Sequence, residues 1–216
     1  MNKIPLVSRR GPAAKVLWVE GTDDFHFIAN LREQHNFSEA SFTIECLEGI
    51  DNILSMLSTR LKANNETELG VMVDADSDVT ARWQSLRNNL LTVGYANVPN
   101  APEANGTIIR ELGKTTVGIW IMPDNTVPGI LENFVRFLVP QNDKLWPLAE
   151  RAIADIPAED RLFSDVAEPK ARLHTWLAWQ AEPGKPIGQA ITNKAFHANA
   201  PQAQNLMDWL RRLFSV

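Results

Sequence analysis

KVLWVEGTDDFHFIANLREQ, residues 15–34, holds a strand, a turn and a helix in one run. Residues 15–20, KVLWVE, are apolar without alternation until the final acid, as in a short strand buried on both faces. The strand ends in a Gly21-Thr22-Asp23-Asp24 turn. Thr22 or Asp23 can accept the first free amides of a helix, and DFHFIANLREQ then has helical apolar spacing.

The same unit recurs downstream. SFTIECLEG, from Ser41, reads as a second strand, and IDNILSMLSTRL follows with Ile50, Ile53, Leu54, Leu57 and Leu61 on one helical stripe. LGVMVDADSD, from Leu69, is a third strand running directly into acids. VTARWQSLRNNLLTVG is the next helix, with Gly94 as its C′ residue. Strands alternating with helices of this length predict an α/β fold with a parallel sheet covered on both faces. GTIIREL and TTVGIWIMP predict a further strand pair, joined by a tight hairpin at Gly113-Lys114, so one edge becomes antiparallel. After Pro128, GILENFVRFLV, KLWPLAERAIADI, KARLHTWLAWQA and QNLMDWLRRLF are helical patterns with no strand between them. The division expected is an α/β core over residues 1–140 and a helical appendage over 141–216, packed on that core.

Composition narrows the class. The chain has 216 residues, 44% of them hydrophobic and 22% charged, which is enough for one sizeable core. Its single cysteine, Cys46, rules out an internal disulfide and points to a reducing, cytoplasmic compartment. The basic start MNKIPLVSRRGPA is followed by no long apolar run, so neither a signal peptide nor a membrane span is expected. A net charge of −5 argues against passive binding of nucleic acid, yet it is compatible with a site that meets phosphates through bound cations.

Three acidic segments stand at predicted strand ends. They are Val19-Glu20-Gly21-Thr22-Asp23-Asp24, Val73-Asp74-Ala75-Asp76-Ser77-Asp78, and Pro123-Asp124-Asn125 followed by Gly129-Ile130-Leu131-Glu132. Ligands of open α/β sheets bind beyond the carboxyl ends of the strands. Residues two apart in an extended chain share a face, so Asp74 and Asp76 are expected to aim together, with Glu20 beside them. Crowded carboxylates repel one another, and a hard divalent cation with oxygen ligands relieves that repulsion. Local readings compete: Asp78 suits the N-cap of a helix starting at Val79, and Asp124-Asn125 suits a turn. His26, His35, His174 and His197 form no ligand spacing.

These segments, in this order, resemble the topoisomerase–primase (TOPRIM) domain. That family ends its first strand with a Glu in a V-E-G-type sequence and a later strand with D-x-D. The later stretch, with P-D-N, G-x-L-E and a lysine-led helix at Lys170, resembles a small TOPRIM-like group of prokaryotic proteins. The resemblance spans about residues 15–195. It implies a three-layer, Rossmann-like fold and a site for one or two Mg²⁺ or Mn²⁺ ions. It also extends to the overcoming-lysogenisation-defect (OLD) nucleases, which carry an acid four positions after the first Glu, where Asp24 stands. From that likeness the metal-site members are Glu20, Asp24, Asp74, Asp76, Asp78 and Glu132, with Glu20, Asp74, Asp76 and Lys170 in catalytic roles and Asp124 and Asn125 as further candidates. The chain has no G-x-x-x-x-G-K-[ST] loop, so any ATPase would be a separate partner.

The function expected is metal-dependent phosphodiester hydrolysis of DNA or RNA, in a role such as phage defence. A non-catalytic effector module working with an operon partner and a small-nucleotide phosphoryl-transfer enzyme stay open beside it, as does homodimerisation. The basic residues, among them Arg82, Arg172 and Lys194, read individually as solvated helix charges. Trp146, Trp176, Trp179 and Trp209 read as packing residues.

Overall fold

The computed structural model describes residues 14–38 and 41–216; the basic amino-terminal stretch considered above lies outside them. Three β-α units come first: β1 (Lys15–Val19), α1 (Thr22–Gln34), β2 (Thr43–Cys46), α2 (Ile50–Ala63), β3 (Glu68–Asp74) and α3 (Val79–Thr92). β4 (Thr107–Ile109) and β5 (Thr116–Met122) complete the sheet. α4 (Leu131–Arg136), α5 (Trp146–Ala154), α6 (Glu168–Ala178), α7 (Ile187–Thr192) and α8 (Pro201–Phe214) follow.

The sheet order is β2-β1-β3-β5-β4. β1 runs parallel to β2 and β3, and β3 runs parallel to β5. β4 is the one antiparallel member and lies at the edge. The middles of β1, β3 and β5 are apolar because each face meets helices, and side chains alternate between the two faces. Leu17, Val19, Met72, Trp120 and Met122 enter one cluster with Phe27, Phe134, Trp176 and Trp209. Val16, Trp18, Val71, Val73, Ile119 and Ile121 enter the other with Leu57, Trp83 and Leu86 of α2 and α3. Each fully buried side chain of this kind contributes roughly 1.5–3 kcal/mol.

The C-terminal helices are part of the first layer. Leu206, Leu210 and Leu213 of α8 share its cluster with the sheet. Gly70 of β3 and Gly118 of β5 stand opposite each other in register, and Leu213 sits over them. A Cβ placed on Gly118 would lie 2.5 Å from Leu213 Cδ2. Gly118→Val is therefore expected to cost about 1–3 kcal/mol by overpacking. Urea unfolding checks this; an unchanged midpoint would mean that α8 does not seat there.

Three features differ from the sequence expectation. The β4–β5 connection is no tight hairpin: residues 110–115 separate the strands. Its loop is tied to neighbouring segments as well as to itself, where the Lys114 amide donates to the Glu111 carbonyl at 3.2 Å and Lys114 Nζ meets the Glu111 carboxylate at 2.9 Å. The Glu111 carboxylate accepts the Ala96 and Asn97 amides at 2.6 and 2.8 Å, and the Thr115 amide donates to Asn64 Oδ1 at 2.8 Å. The helix expected over GILENFVRFLV is confined to Leu131–Arg136. α7 was not anticipated, because a glycine in so short a run weakens the helical signal. That glycine is required by packing: a Cβ on Gly188 would lie 2.8 Å from the His26 carbonyl of α1.

Candidate functional site

β1 and β3 pair with Val19 opposite Met72, and β3 runs on two residues further to Asp74. Glu20 follows β1 directly, and its Oε2 accepts the Asp74 amide at 3.2 Å. Gly49, at a φ of 121° in the glycine-favoured region, turns the chain into α2 and donates its amide to the Glu20 carbonyl at 2.9 Å. Asp24 lies one turn into α1. Its Oδ2 accepts the Gly21 amide at 2.9 Å, and the residue is only 6% exposed. Asp74 closes β3 and accepts the Leu131 amide, at the start of α4, at 2.9 Å. The next residue of that helix, Glu132, is 4% exposed. Lys170 of α6 places Nζ 3.3 Å from Glu132 Oε1 and 3.5 Å from Asp23 Oδ2.

Glu20, Asp23, Asp24, Asp74, Glu132 and Lys170 thus line one cleft of about 610 Å³ at the carboxyl edge of the sheet. Its electrostatics are unfavourable to ionised carboxylates. Burial, then the charges of Asp24 and Glu20, push the Asp74 carboxyl up to about 9. Burial and the Glu20 charge raise Asp24 to about 7 against the Gly21 hydrogen bond. Burial also raises Glu20, although the Asp74 amide and Arg82 oppose it. Lys170 goes the other way: burial works to lower its ammonium, but Glu132 and Asp23 outweigh that and hold it above its usual value.

The second acid of the D-x-D pair does not join this lining. Extended geometry stops at Asp74, and Asp76 has a left-handed φ of 54° with its amide bonded to the Gly129 carbonyl at 3.0 Å. The rule that residues two apart share a face therefore does not carry past Asp74. The Asp76 carboxylate instead meets Arg82 Nη2 at 2.6 Å, and Arg82 Nε donates to the Asp74 carbonyl at 2.7 Å. Its charge still acts on Glu20 and Asp74.

The remaining candidates have local partners. Asp78 caps α3 by accepting the Thr80 and Ala81 amides at 2.9 and 3.0 Å. Asp124 accepts the Thr126 and Val127 amides at 2.9 and 3.1 Å. Asn125 is buried, with Oδ1 accepting the Ile121 amide at 2.7 Å. Two cleft-edge roles were not assigned beforehand. Asp23, a member of the first acidic segment and a cap candidate, meets Lys170, and Arg82, one base among many in the sequence, meets Asp76; neither pairing has a sequence spacing that announces it.

All donors in the cleft are oxygens, which suits a hard cation. Among the described residues, no three carboxylates, imidazoles or thiols close into a finished ligand group. Such a set fits an ion that keeps part of its water shell, as Mg²⁺ does with one or two carboxylates. Among the described residues no helix is long and apolar enough to cross a membrane.

Comparison with known proteins finds no match among curated proteins and none among solved structures. Residues 14–215 match the model of a family described as "Protein of unknown function (DUF3226)", and over that span the chain belongs to the DUF3226 family.

Proposed function

We propose that this protein is a TOPRIM-type, metal-dependent phosphodiesterase acting on nucleic acid. One observation carries the reading: Glu20, Asp24, Asp74 and Glu132, drawn from three separate segments, line a single cleft. Burial and mutual repulsion hold three of the four, Glu20, Asp24 and Asp74, above their ordinary carboxyl range. Such crowding is unfavourable unless protons or a cation offset it. The strand order supports the TOPRIM reading, since the Glu after the first strand and the Asp ending the third become neighbours.

Glu20 and Asp74 would hold one Mg²⁺ or Mn²⁺, with Asp24 and Glu132 available to a second. When bound, such ions supply Lewis-acid stabilisation of the phosphoryl oxygens. Glu20 would accept a proton from the attacking water as its oxygen bonds to phosphorus, while the bond to the leaving oxygen breaks and that oxygen takes a proton from solvent. Lys170 offsets negative charge developing on the phosphoryl group. Arg82 acts as a positioning residue, gripping the Asp74 carbonyl and the Asp76 carboxylate together.

A second reading has its own observation. Lys170 already faces Glu132 and Asp23, and Arg82 faces Asp76, so part of the acidic set is balanced by the chain itself. That favours an effector module that holds a nucleotide or nucleic-acid end without turnover. Cleavage assays distinguish the two. Incubation with single- and double-stranded DNA and with RNA is expected to give product with Mg²⁺ or Mn²⁺ and none in EDTA. No product on any of these substrates sinks the hydrolase reading and favours the effector.

A further inference from the structure

Away from the acidic cleft a groove of about 1300 Å³ runs between the end of α1, the segment after α4 and the α7–α8 connection. Although the chain carries a net charge of −5, no Asp or Glu is found among the described residues lining this groove. Three bases do line it: Arg136, Lys194 and His197, all exposed and none ion-paired among the described residues. Lys194 occupies a left-handed position, φ 59°, of the kind that favours glycine. The amides of Gln141, Asn142 and Asn199 stand beside them, and the Phe137 ring is 39% exposed at the same groove.

The groove and the cleft are linked through residues that line neighbouring pockets. Glu132 lines both the acidic cleft and an intervening pocket of about 330 Å³. Arg136 lines both that pocket and the groove. Glu132 and Arg136 lie four residues apart on α4, about 6 Å along the helix axis. The Arg136 guanidinium lies over the Trp146 ring at 4.4 Å, which restrains it while leaving its outer edge free. The intervening pocket itself is mixed in charge: Arg172 is paired there with Glu168, and Glu150 and Asp165 also line it.

We infer that this groove binds a single strand of nucleic acid and delivers it to the acidic cleft. The proposal rests on the phosphodiesterase reading of that cleft. Unpaired cations on an acid-free wall attract a phosphate backbone, as they would not attract an acidic cleft's metal. Exposed amides and an aromatic ring suit unstacked bases, which a duplex conceals. The strand's phosphates would meet Lys194 and His197 first, then Arg136, and reach Glu132 one helical turn further on.

The test is fluorescence anisotropy with a labelled single-stranded DNA oligonucleotide of mixed sequence, in EDTA so that no turnover intervenes. Arg136→Gln with Lys194→Gln is expected to weaken binding roughly tenfold. It should also flatten the salt dependence, by about 0.7 in logarithmic slope for each cation lost. Lys62→Glu, on an exposed position of α2, serves as the charge control and should bind better than the double variant. Equal binding by parent and double variant overturns the groove, as does tighter binding of a duplex than of the single strand. Failure of the parent to bind also overturns it, and leaves a protein partner as the groove's occupant. A protein that binds the strand through these residues but never cleaves it keeps the groove and removes the hydrolase reading.

Discussion

Glu20→Gln is expected to lower metal-stimulated phosphodiester cleavage by roughly a thousandfold. Glutamine keeps the size of the side chain and an oxygen that can accept the Asp74 amide, now at 3.2 Å. What it loses is the charge that would hold a cation and the basicity to take a proton from water. Far-UV circular dichroism should stay near the parent's and the thermal midpoint in EDTA should be no lower, since one repelling charge is gone, so that lost turnover reads as lost chemistry. Asp76→Asn should be milder, about tenfold, because Asp76 lies outside the cleft lining and acts through Arg82. Full cleavage by the Glu20 variant would remove Glu20 from the reaction. Equal damage from both variants would mean that Asp76 leaves Arg82 and turns into the cleft when substrate and metal bind.

Asp74→Asn is expected to stabilise the metal-free protein at pH 8 by on the order of 3 kcal/mol. The unfolded carboxyl titrates near about 4, whereas burial and the charges of Asp24 and Glu20 push the folded group up to about 9. Between those values the folded chain retains a proton that the unfolded chain has released. Stability of the parent therefore falls as pH rises through that window and levels off above it. The uncharged variant does not share this loss, so the two melting temperatures should converge near pH 4 and separate at pH 8. Magnesium should reverse the order at pH 8. The parent, with its carboxylates able to bind the ion, gains stability by mass action, and the variant gains little. Thermal melts at pH 4 and 8, with EDTA or with Mg²⁺, check both halves. A parent whose midpoint is flat from pH 4 to 8 would contradict the buried, mutually repelling carboxylates.

Much of the architecture was readable because it rests on local signals. The run Val16–Val19 and the stripe of α2 each specify an element through periodicity, whereas α1 starts at Thr22 with Gly21, not Thr22 or Asp23, at its N-cap. The repeated strand–helix order then leaves few topologies, and the parallel sheet with its antiparallel edge follows. α7 escaped notice because Gly188 lowers helical propensity for the sake of close contact with α1, a demand made by a segment far away in sequence. The loop between β4 and β5 escaped for a similar reason, since its anchors, Asn64 and the Ala96 and Asn97 amides, belong to other segments.

The candidate site divides in the same way. Residue type and strand-end position alone brought out Glu20, Asp74 and the alternation of elements that places them at one sheet edge. Glu132 stood in the third acidic segment, while the metal role of Asp24 and the choice of Lys170 came from the TOPRIM resemblance. The tertiary structure decided which acids meet: it set Glu132 beside Lys170, gave Asp76 to Arg82 and left Asp78 as a helix cap. The reason is that an element's type depends on the few residues within it, whereas the direction of a carboxylate depends on one backbone angle and on partners from distant helices. A left-handed φ at Asp76 is enough to turn a charge away from the cleft that its sequence spacing seemed to promise.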